Sequence, residues 1–313
     1  MNARLGRGMR MLLPVLTAFA LTLAAVAASA EPDRPLSVRA PRAASAVGQA
    51  SVTACNPKAS SLRPSGPLQV TPGSFMEKIR ARGYLIAGVD QNTFDFGFRN
   101  PFDGQIEGFD IDMIKAVARY IGVTKVEYKA ISDDQRIPDV ENGAVDIVAH
   151  TMTILCDRLK YVDFSSVYFD AGQRVLVLKS SAARSLTALA GQKVCATTGS
   201  DSLARIIAAR AIPVRVPYWT DCLVLLQQGD VAAISTDDTI LDGLKAQDPW
   251  TMLVGSRLSA EPYGLAISKQ HPEFVRFVNA VLEQLRTDGQ WAASYRAWIG
   301  SPAPAPPRAE YAD

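Results

Sequence analysis

The sequence predicts an α/β protein in which mostly parallel sheets are flanked by helices. Short apolar runs with the length of buried strands alternate with segments whose apolar residues recur at helical spacing. The 313-residue length is enough for two ordinary domains, and the composition, 48% hydrophobic and 20% charged, is that of a globular chain. The net charge of +2 gives no electrostatic reason to expect a nucleic-acid partner.

Strand and helix alternate through the first half of the folded region. Apolar runs predict strands at residues 84–89, 126–131 and 145–150, and a helix is predicted near residues 137–141. A longer helix is predicted between the first two strands, where the apolar residues keep helical spacing: Ile111, Ile114, Val117, Ala118 and Ile121. Because each strand is followed by a helix, we expect parallel neighbours in one sheet.

The same alternation continues in the second half. Strands are predicted at residues 175–178, 193–196 and 231–235, and helices at residues 200–209, 219–228 and 238–246. Ser200, Asp201 and Ser202 are suited to capping the first of these helices. Two more helices are predicted at residues 272–286 and 289–299, and the apolar face from Val275 to Leu285 is expected in the core.

The N-terminus has the three parts of an export signal. Arg4, Arg7 and Arg10 precede an apolar stretch at residues 11–27, and small residues at 28–30 form a cleavage site before Glu31. We therefore expect residues 1–30 to be a signal peptide and the protein to be exported, either to the periplasm or to the outer face of the cytoplasmic membrane. The alternative is an uncleaved anchor, because the stretch approaches the ~17–25 residues of a membrane span.

Two segments lack a hydrophobic period. Residues 31–74 are rich in Pro, Ala, Ser and Arg and predict a flexible tether. Residues 301–313 form a Pro-Ala-rich tail that is expected to be flexible as well.

Residues 151–160 carry the most informative polar pattern. Thr151 and Thr153 follow the apolar run at 145–149, and Arg158 comes five residues after Thr153. Hydroxyls and backbone amides at a strand end, with an arginine on the next turn, form a socket for a carboxylate, which arginine grips through two parallel hydrogen bonds. On local sequence alone, an ordinary strand-to-helix loop with a solvated arginine is an equal alternative.

A family resemblance decides between these two interpretations. The pattern T-x-T-x(4)-R at 151–158, followed by D-F-S at 163–165, resembles the signature of solute-binding family 3, the extracytoplasmic polar-amino-acid-binding proteins of ABC importers. Further landmarks follow in the family order at residues 83–90, 108–112, 172–173, 191–200, 236–238 and 262–264. The resemblance runs from about residue 76 to residue 298. It is greatest to the actinobacterial-type glutamine/glutamate-binding proteins, which share the four-cysteine pattern.

The resemblance implies a two-lobed periplasmic-binding-protein fold of type II with a ligand cleft between the lobes. Lobe 1 would comprise residues 75–171 and 263–300, and lobe 2 residues 172–262. The chain would cross to lobe 2 near Gly172 and return near Pro262.

The resemblance also implies how the two charges of a free amino acid are held. Arg158, with Thr153 and Thr151, would take the α-carboxylate, and Thr197 and Ser200 would add donors from the start of a lobe 2 helix. Asp237 matches the carboxylate that holds the α-ammonium in the family. The alternative role for Asp237 is a helix N-cap, and Asp238 is the expected cap if Asp237 binds ligand.

The residues near the ligand side chain give conflicting indications. Arg136 matches an arginine that glutamate/aspartate-binding relatives use for the distal carboxylate, but it could equally be a solvated helix charge. Asp90 matches an aspartate of some glutamine-binding members, and Asp201 adds a carboxylate that weakens the case for an acidic ligand. Phe94 is expected to stack on the aliphatic part of the ligand. Trp219 could line the lobe 2 wall or belong to the core. Glutamate, aspartate, glutamine and asparagine therefore all remain candidates.

Four cysteines in an exported chain predict disulfides, although they allow three pairings. Cys195 and Cys222 fall in the same lobe, which favours that pair and leaves Cys55 with Cys156. A metal site is not expected, because there is no C-x-x-C motif and only His150 and His271 are available. No cofactor is expected.

The predicted function is a non-catalytic, monomeric receptor that closes its lobes on a polar amino acid and delivers it to an ABC-type permease. A sensor that reports the amino acid to a membrane signalling partner is the first alternative. The second is an enzyme on the same fold, similar to the cyclohexadienyl dehydratases. Such an enzyme needs a general acid, for which only Asp90, Asp201 and Asp237 are candidates, and each has a binding or capping role available.

Overall fold

The fold is that of a computed structural model, which describes residues 55–313. The predicted export signal and the first part of the predicted tether, residues 31–54, lie outside the described residues. Between residues 55 and 313, no helix has both the length and the apolar character that a membrane crossing requires.

The described chain contains eight α-helices, three short 3-10 helices and fifteen strands. The α-helices are α1 (Phe75–Arg82), α2 (Phe109–Ile121), α3 (Arg136–Glu141), α4 (Ser202–Ala208), α5 (Trp219–Gln228), α6 (Asp238–Gln247), α7 (Pro272–Thr287) and α8 (Gln290–Trp298). The 3-10 helices are Pro57–Ala59, Arg158–Lys160 and Thr187–Leu189. The strands are β1 (Tyr84–Val89), β2 (Asn92–Thr93), β3 (Gly97–Arg99), β4 (Ile106–Glu107), β5 (Lys125–Ala130), β6 (Ile147–Ala149), β7 (Val162–Phe164), β8 (Phe169–Ala171), β9 (Gln173–Leu178), β10 (Lys193–Thr197), β11 (Ile212–Val216), β12 (Ala233–Asp237), β13 (Thr251–Val254), β14 (Glu261–Tyr263) and β15 (Ala266–Ser268).

Lobe 1 is built on a five-stranded sheet with the order β5-β1-β6-β15-β7. Strand β1 runs parallel to both β5 and β6, and Ala87 pairs with Tyr128 on one side and Ile147 on the other. Strand β15 is antiparallel to β6 and β7. The predicted α/β class is therefore confirmed, and the antiparallel edge arises because the chain re-enters lobe 1 from lobe 2.

Lobe 2 repeats this plan with the order β11-β10-β12-β9-β13. Strand β10 is parallel to β11 and β12, whereas β9 is antiparallel to β12 and β13. The parallel strands carry helices in their crossovers, and the antiparallel pair carries the chain in from lobe 1 and back out. Both sheets are mixed in direction, which corrects the expectation of mostly parallel sheets.

Two antiparallel strands connect the lobes. In β8 and β14, Phe169 pairs with Tyr263 and Ala171 with Glu261. Gly172 follows β8 directly, and a Cβ there would lie 2.6 Å from the carbonyl oxygen of Ser259. The close approach of these two crossing segments therefore requires glycine.

The core of lobe 1 lies between its sheet and helices α2, α7 and α8. Phe109, Ile114, Val117, Val278 and Leu282 belong to one buried cluster. The apolar stripe predicted for residues 111–121 thus faces inward, and α2 ends at Gly122, whose N–H donates to the carbonyl of Ala118 in a left-handed cap. Truncating one of these side chains, for instance Ile114→Ala, should cost about 2–5 kcal/mol of stability.

Residues 55–74 differ from the predicted tether because they pack on lobe 1. The hydroxyl of Ser61 donates to the carbonyl of Phe164 at 2.6 Å, and Asn279 donates to the Ser61 hydroxyl at 2.7 Å. Lys58 forms a 2.9 Å ion pair with Asp170 in β8, one of the two hinge strands that connect the lobes. These partners are distant in sequence, so the local composition could not reveal them.

The C-terminal segment also differs from the flexible tail that was predicted. Tyr311 forms a parallel bridge with Ser61, and the carboxylate of Asp313 lies 2.5 Å from the guanidinium of Arg276 on α7. The two terminal segments therefore hold each other against the same face of lobe 1.

The structure contains two disulfides, and their pairing is the one that the sequence favoured. Cys195 on β10 bonds to Cys222 on α5, and both are buried in the core of lobe 2. Cys55 bonds to Cys156, with a sequence separation of 101 residues. The second bond joins the N-terminal segment to the loop that carries Arg158.

Candidate functional site

The loop after β6 holds its first threonine in a strained conformation. Thr151 has a φ of 43°, in the left-handed region that β-branched residues rarely adopt. Its N–H donates to the buried carboxylate of Asp110 at 2.8 Å, and Tyr168 donates to the other oxygen at 2.6 Å. Burial raises the pKa of Asp110 to about 6, although both hydrogen bonds lower it. Strain of this kind persists only where the surroundings fix it, and it is common at binding sites.

Arg158 is buried at the start of a 3-10 helix and faces lobe 2. Its Nη1 donates to the carbonyl of Thr153 at 2.7 Å, and its Nη2 donates to the carbonyl of Gly199 at 3.3 Å. The Asp201 carboxylate lies 3.5 Å from the same Nη2. Burial, followed by the charge of Arg136, lowers the pKa of Arg158. The solvated arginine that local sequence allowed is therefore wrong for this position.

Arg136 is also buried, with 4% of its surface exposed, so the alternative of a solvated helix charge is wrong. It forms a 2.8 Å ion pair with Asp133, and its Nη1 donates to the carbonyl of His150 at 3.2 Å. Its Nη2 reaches the carbonyl of Gly199 at 3.4 Å. The charge of Arg136 is thus already balanced by a carboxylate of its own lobe.

Gly199 forms the point at which lobe 2 meets lobe 1. Its carbonyl accepts from both arginines, its φ is 84°, and a Cβ there would lie 2.8 Å from the backbone of Asp134. Thr197, at the end of β10, donates to the carboxylate of Asp133. Both contacts cross the cleft, so the described structure has its lobes closed on each other.

Asp237 ends β12 and is buried opposite the arginines. Tyr263 donates to its carboxylate at 2.7 Å. Burial, and then the charges of Asp201 and Glu261, raise the pKa of Asp237 well above its usual value. Within residues 55–313, the Asp237 side chain makes no capping bond to α6. The carboxylate of Asp238 instead accepts from the N–H of Thr239 at 3.1 Å.

Asp201 and Glu261 form an acidic pair whose second member the sequence analysis missed. Arg205 lies 3.5 Å from Asp201 and 3.0 Å from Glu261, so one guanidinium contacts both carboxylates. Burial, and then the charge of Asp201, raise the pKa of Glu261 to about 7. The pKa of Asp201 is lowered in spite of burial, chiefly by Arg158. The position of Glu261 directly before the Pro262-Tyr263-Gly264 landmark is the signal that could have identified it.

A small cavity lies between the lobes at this point. The predicted residues Arg136, Thr151, Ser200 and Asp237 line it together. Trp219, for which the sequence left the lobe 2 wall and the core as alternatives, belongs to both, and Asp201 lies in the wall as well. The rest of the wall comes from residues that were not assigned to the site: Asp133, Thr236 and Ile240. Three predicted residues lie outside this wall. Arg158 contacts Asp201 in the wall, and Thr197 contacts Asp133 in the wall. Thr153 contacts Arg158 through its carbonyl.

Asp90 and Phe94 are placed differently from the other predicted residues, because neither contributes to the cavity wall. The carboxylate of Asp90 accepts from the N–H groups of Gln91 and Asn92 and from the hydroxyl of Thr93, all in its own loop. Phe94 is 37% exposed and packs against Phe98 with the rings tilted by 49° and 4.8 Å between their centroids. In this arrangement both residues support the loop after β1.

Comparison with known proteins identifies relatives that bind amino acids. A glutamine-binding protein of an ABC transporter, GlnH from Bacillus subtilis, is 37% identical over 226 residues, which cover 71% of this chain and 83% of GlnH. A glutamate/aspartate import solute-binding protein from Salmonella typhimurium is 26% identical over 250 residues, which cover 74% of this chain and 82% of the relative. These relatives are binding proteins.

Solved structures give the same fold. An ancestral arginine-binding protein bound to glutamine matches with a TM-score of 0.67 and 36% identity, covering 70% of this chain and 99% of that one. The ancestral amino-acid-binding protein AncCDT-1, a precursor of cyclohexadienyl dehydratase, matches with a TM-score of 0.67 and 33% identity, covering 72% of this chain and 100% of that one. The family description "Bacterial extracellular solute-binding proteins, family 3" matches residues 85–301. This chain is therefore a member of family 3 of the bacterial extracellular solute-binding proteins.

Proposed function

We propose that the protein is a non-catalytic extracytoplasmic receptor that binds L-glutamine between its lobes and presents it to an ABC-type permease. The observation that carries this proposal is the balance of charge around the cavity. Asp133 pairs with Arg136, and Asp201 pairs with Arg158. No ion pair joins Asp237 to a cation in the described part of the chain, and burial, followed by the charges of Asp201 and Glu261, raises its pKa well above the usual value.

A neutral amino acid fits this balance. Its ammonium would give Asp237 the missing cation, and its α-carboxylate would compete for Arg158, whose rigid guanidinium suits two parallel hydrogen bonds. Asp201 would keep Arg205, which is 3.5 Å away, as its partner. The ligand then adds one charge of each sign, and each of these charges meets an opposite charge.

An acidic side chain fits less well. The distal carboxylate of glutamate would need a second free cation, but Arg136 is held by Asp133 and by the carbonyl of His150. A buried charge without a partner is costly, so glutamate and aspartate should bind more weakly than glutamine. The glutamine-binding relatives and the glutamine-bound structural neighbour support the same choice.

Binding is favoured over catalysis by the surroundings of the carboxyls with raised pKa. Glu261 lies outside the cavity wall and is enclosed by Ser259 and Arg205. Asp237 does line the cavity, but a carboxylate that holds the ligand ammonium there is ionised and has no proton to donate. A general acid needs access to the reacting atom. We therefore propose a receptor that acts as an exported monomer. Delivery to an importer is preferred over signalling to a membrane sensor because the similar GlnH protein belongs to an ABC transporter.

Calorimetric titration of the mature protein with glutamine, asparagine, glutamate, aspartate and arginine tests this proposal. We expect glutamine to bind most tightly and to be recovered unchanged after prolonged incubation. If glutamate or arginine binds at least tenfold more tightly than glutamine, a difference of about 1.4 kcal/mol, the charge argument is wrong. Chemical conversion of the bound amino acid would refute the proposal that the protein is a non-catalytic receptor.

A further inference from the structure

Trp219 carries a buried hydrogen-bond donor for which the cavity offers no partner. Only 3% of its surface is exposed, and it lines the cavity beside Thr236 and Ile240. Its indole nitrogen has no hydrogen-bond partner in the described residues. An indole N–H can only donate, and leaving it unpaired in a buried site is unfavourable because its hydration is lost without a replacement.

The position of Trp219 is fixed by the local structure. It is the first residue of α5, directly after Tyr218, whose N–H donates to the Asp221 carboxylate at 3.3 Å in a capping box. The ring also packs in the buried core of lobe 2. Because the ring belongs to both this core and the cavity wall and is almost fully buried, the indole N–H cannot turn to solvent for a partner.

We propose that Trp219 is a specificity-determining residue whose indole N–H donates a hydrogen bond to a carbonyl or carboxylate oxygen in the ligand side chain. This inference rests on the proposed amino-acid receptor. The α-ammonium cannot accept a hydrogen bond, and the α-carboxylate has Arg158. The acceptor that is left on glutamine is therefore its side-chain carbonyl oxygen.

This role makes a prediction about ligand classes that the charge balance alone does not make. Trp219 should favour any amino acid whose side chain ends in an acceptor over one of equal length that ends in a methyl group. A site that hydrogen-bonds a substrate group rejects the analogue that lacks it, because its own polar atom is then left unpaired. It should also disfavour arginine, whose guanidinium has donors only.

The test uses Trp219→Phe, which keeps an aromatic ring and removes the N–H. We expect glutamine affinity to fall roughly tenfold, with little change for L-norleucine, which has an apolar side chain of similar length. Trp250→Phe is the matched control, because Trp250 is 74% exposed and away from the cavity. Equal losses for glutamine and norleucine would mean that the indole meets the α-carboxylate or only fills space, and would overturn the inference.

A measurement on the wild-type protein avoids dependence on the variant. In a proton–nitrogen correlation spectrum, the indole signal of Trp219 should move downfield and exchange more slowly when glutamine is added, and it should do neither with norleucine. An unchanged signal at saturating glutamine would refute the proposed hydrogen bond of Trp219 but would not contradict the proposed receptor function. A wild-type protein that binds arginine and neither glutamine nor glutamate would instead refute the proposed ligand, and the side-chain acceptor with it.

Discussion

The guanidinium of Arg158 and the carboxylate of Asp201 form an ion pair across the cleft, with 3.5 Å between Nη2 and Oδ1. Arg158 belongs to lobe 1 and Asp201 to lobe 2, so this pair helps to hold the lobes together. The same guanidinium is the proposed partner of the ligand α-carboxylate. Asp201 is therefore a competitor for the group that the ligand needs.

Neutralising this competitor should strengthen binding. We expect Asp201→Asn to lower the Kd for glutamine by roughly three- to tenfold, because Arg158 no longer exchanges one carboxylate for another. Calorimetric titration measures the change, and Asp230→Asn, at an exposed position of lobe 2, serves as the control. Weaker binding in Asp201→Asn would show that Asp201 itself contacts the ligand favourably.

Removing the arginine should have the opposite and larger effect. We expect Arg158→Ala to abolish measurable binding of every amino acid, because all share the α-carboxylate and an unpaired buried charge costs about 3–5 kcal/mol. Arg215→Ala, at an exposed position, should bind normally. Thermal melting confirms that both variants are folded. A folded Arg158→Ala protein with unchanged affinity would remove Arg158 from the site.

Arg136 should not discriminate acid from amide. If Arg136 held a distal carboxylate, as the family resemblance allows, Arg136→Gln would weaken glutamate at least tenfold and glutamine less. Because Arg136 pairs with Asp133 and bridges to Gly199, we now expect similar losses for both ligands, of roughly tenfold, together with lower stability. Parallel titrations with glutamate and glutamine give the ratio. A selective loss for glutamate would restore Arg136 as the partner of a distal carboxylate.

Gly199 should be required for lobe closure. A methyl group there would meet the backbone of Asp134 at 2.8 Å, in addition to the backbone cost of a left-handed φ. We expect Gly199→Ala to weaken glutamine binding by roughly tenfold or more, and small-angle scattering to report a more open particle.

The control for this prediction is Gly191→Ala in the same lobe. Gly191 has a φ of 74°, and a methyl group there would meet no atom of the described chain within 4 Å. It carries the backbone cost without the clash, so equal effects of the two substitutions would argue against closure at Gly199.

Binding should release a proton from Asp237. Its pKa is raised by burial and by Asp201 and Glu261, and a ligand ammonium beside it would lower that pKa, because an opposite charge favours the ionised form. The complex then holds fewer protons than the free protein, so affinity should rise as the pH is raised from the usual carboxyl range through the raised pKa of free Asp237. Titrations in buffers of different ionisation enthalpy count the protons. Proton uptake, or affinity that falls with pH, would contradict this role for Asp237.

Site residues that belong to local sequence patterns could be predicted, whereas contacts between residues far apart in the sequence could not. Thr151 and Arg158 lie in the segment after β6 and Asp237 ends β12, so local patterns and the family resemblance located them. The pairs Arg158–Asp201 and Thr197–Asp133 join residues of different lobes and depend on how the lobes close. The hydrogen bonds of Asp90 within its own loop were also not predicted, because an aspartate at the end of a strand can face either a cleft or its own loop.

The packing of the two terminal segments on lobe 1 was not predicted for a different physical reason. Their composition lacks a hydrophobic period, which is the usual sign of a flexible chain. They are held instead by individual polar contacts, such as Ser61 with Asn279 and Asp313 with Arg276. Each contact depends on a partner on α7, and no local pattern records it.

The bridge between Ser61 and Tyr311 brings together two parts of the chain that are far apart in sequence. A short linker between these segments would join them without crossing the cleft or either hinge strand. New termini could then be opened at an exposed turn of lobe 2, such as the one at Gly229. We therefore expect the architecture to tolerate a change in the order of the chain. The protein is a candidate for circular permutation, with a reporter domain inserted where lobe motion would change its signal.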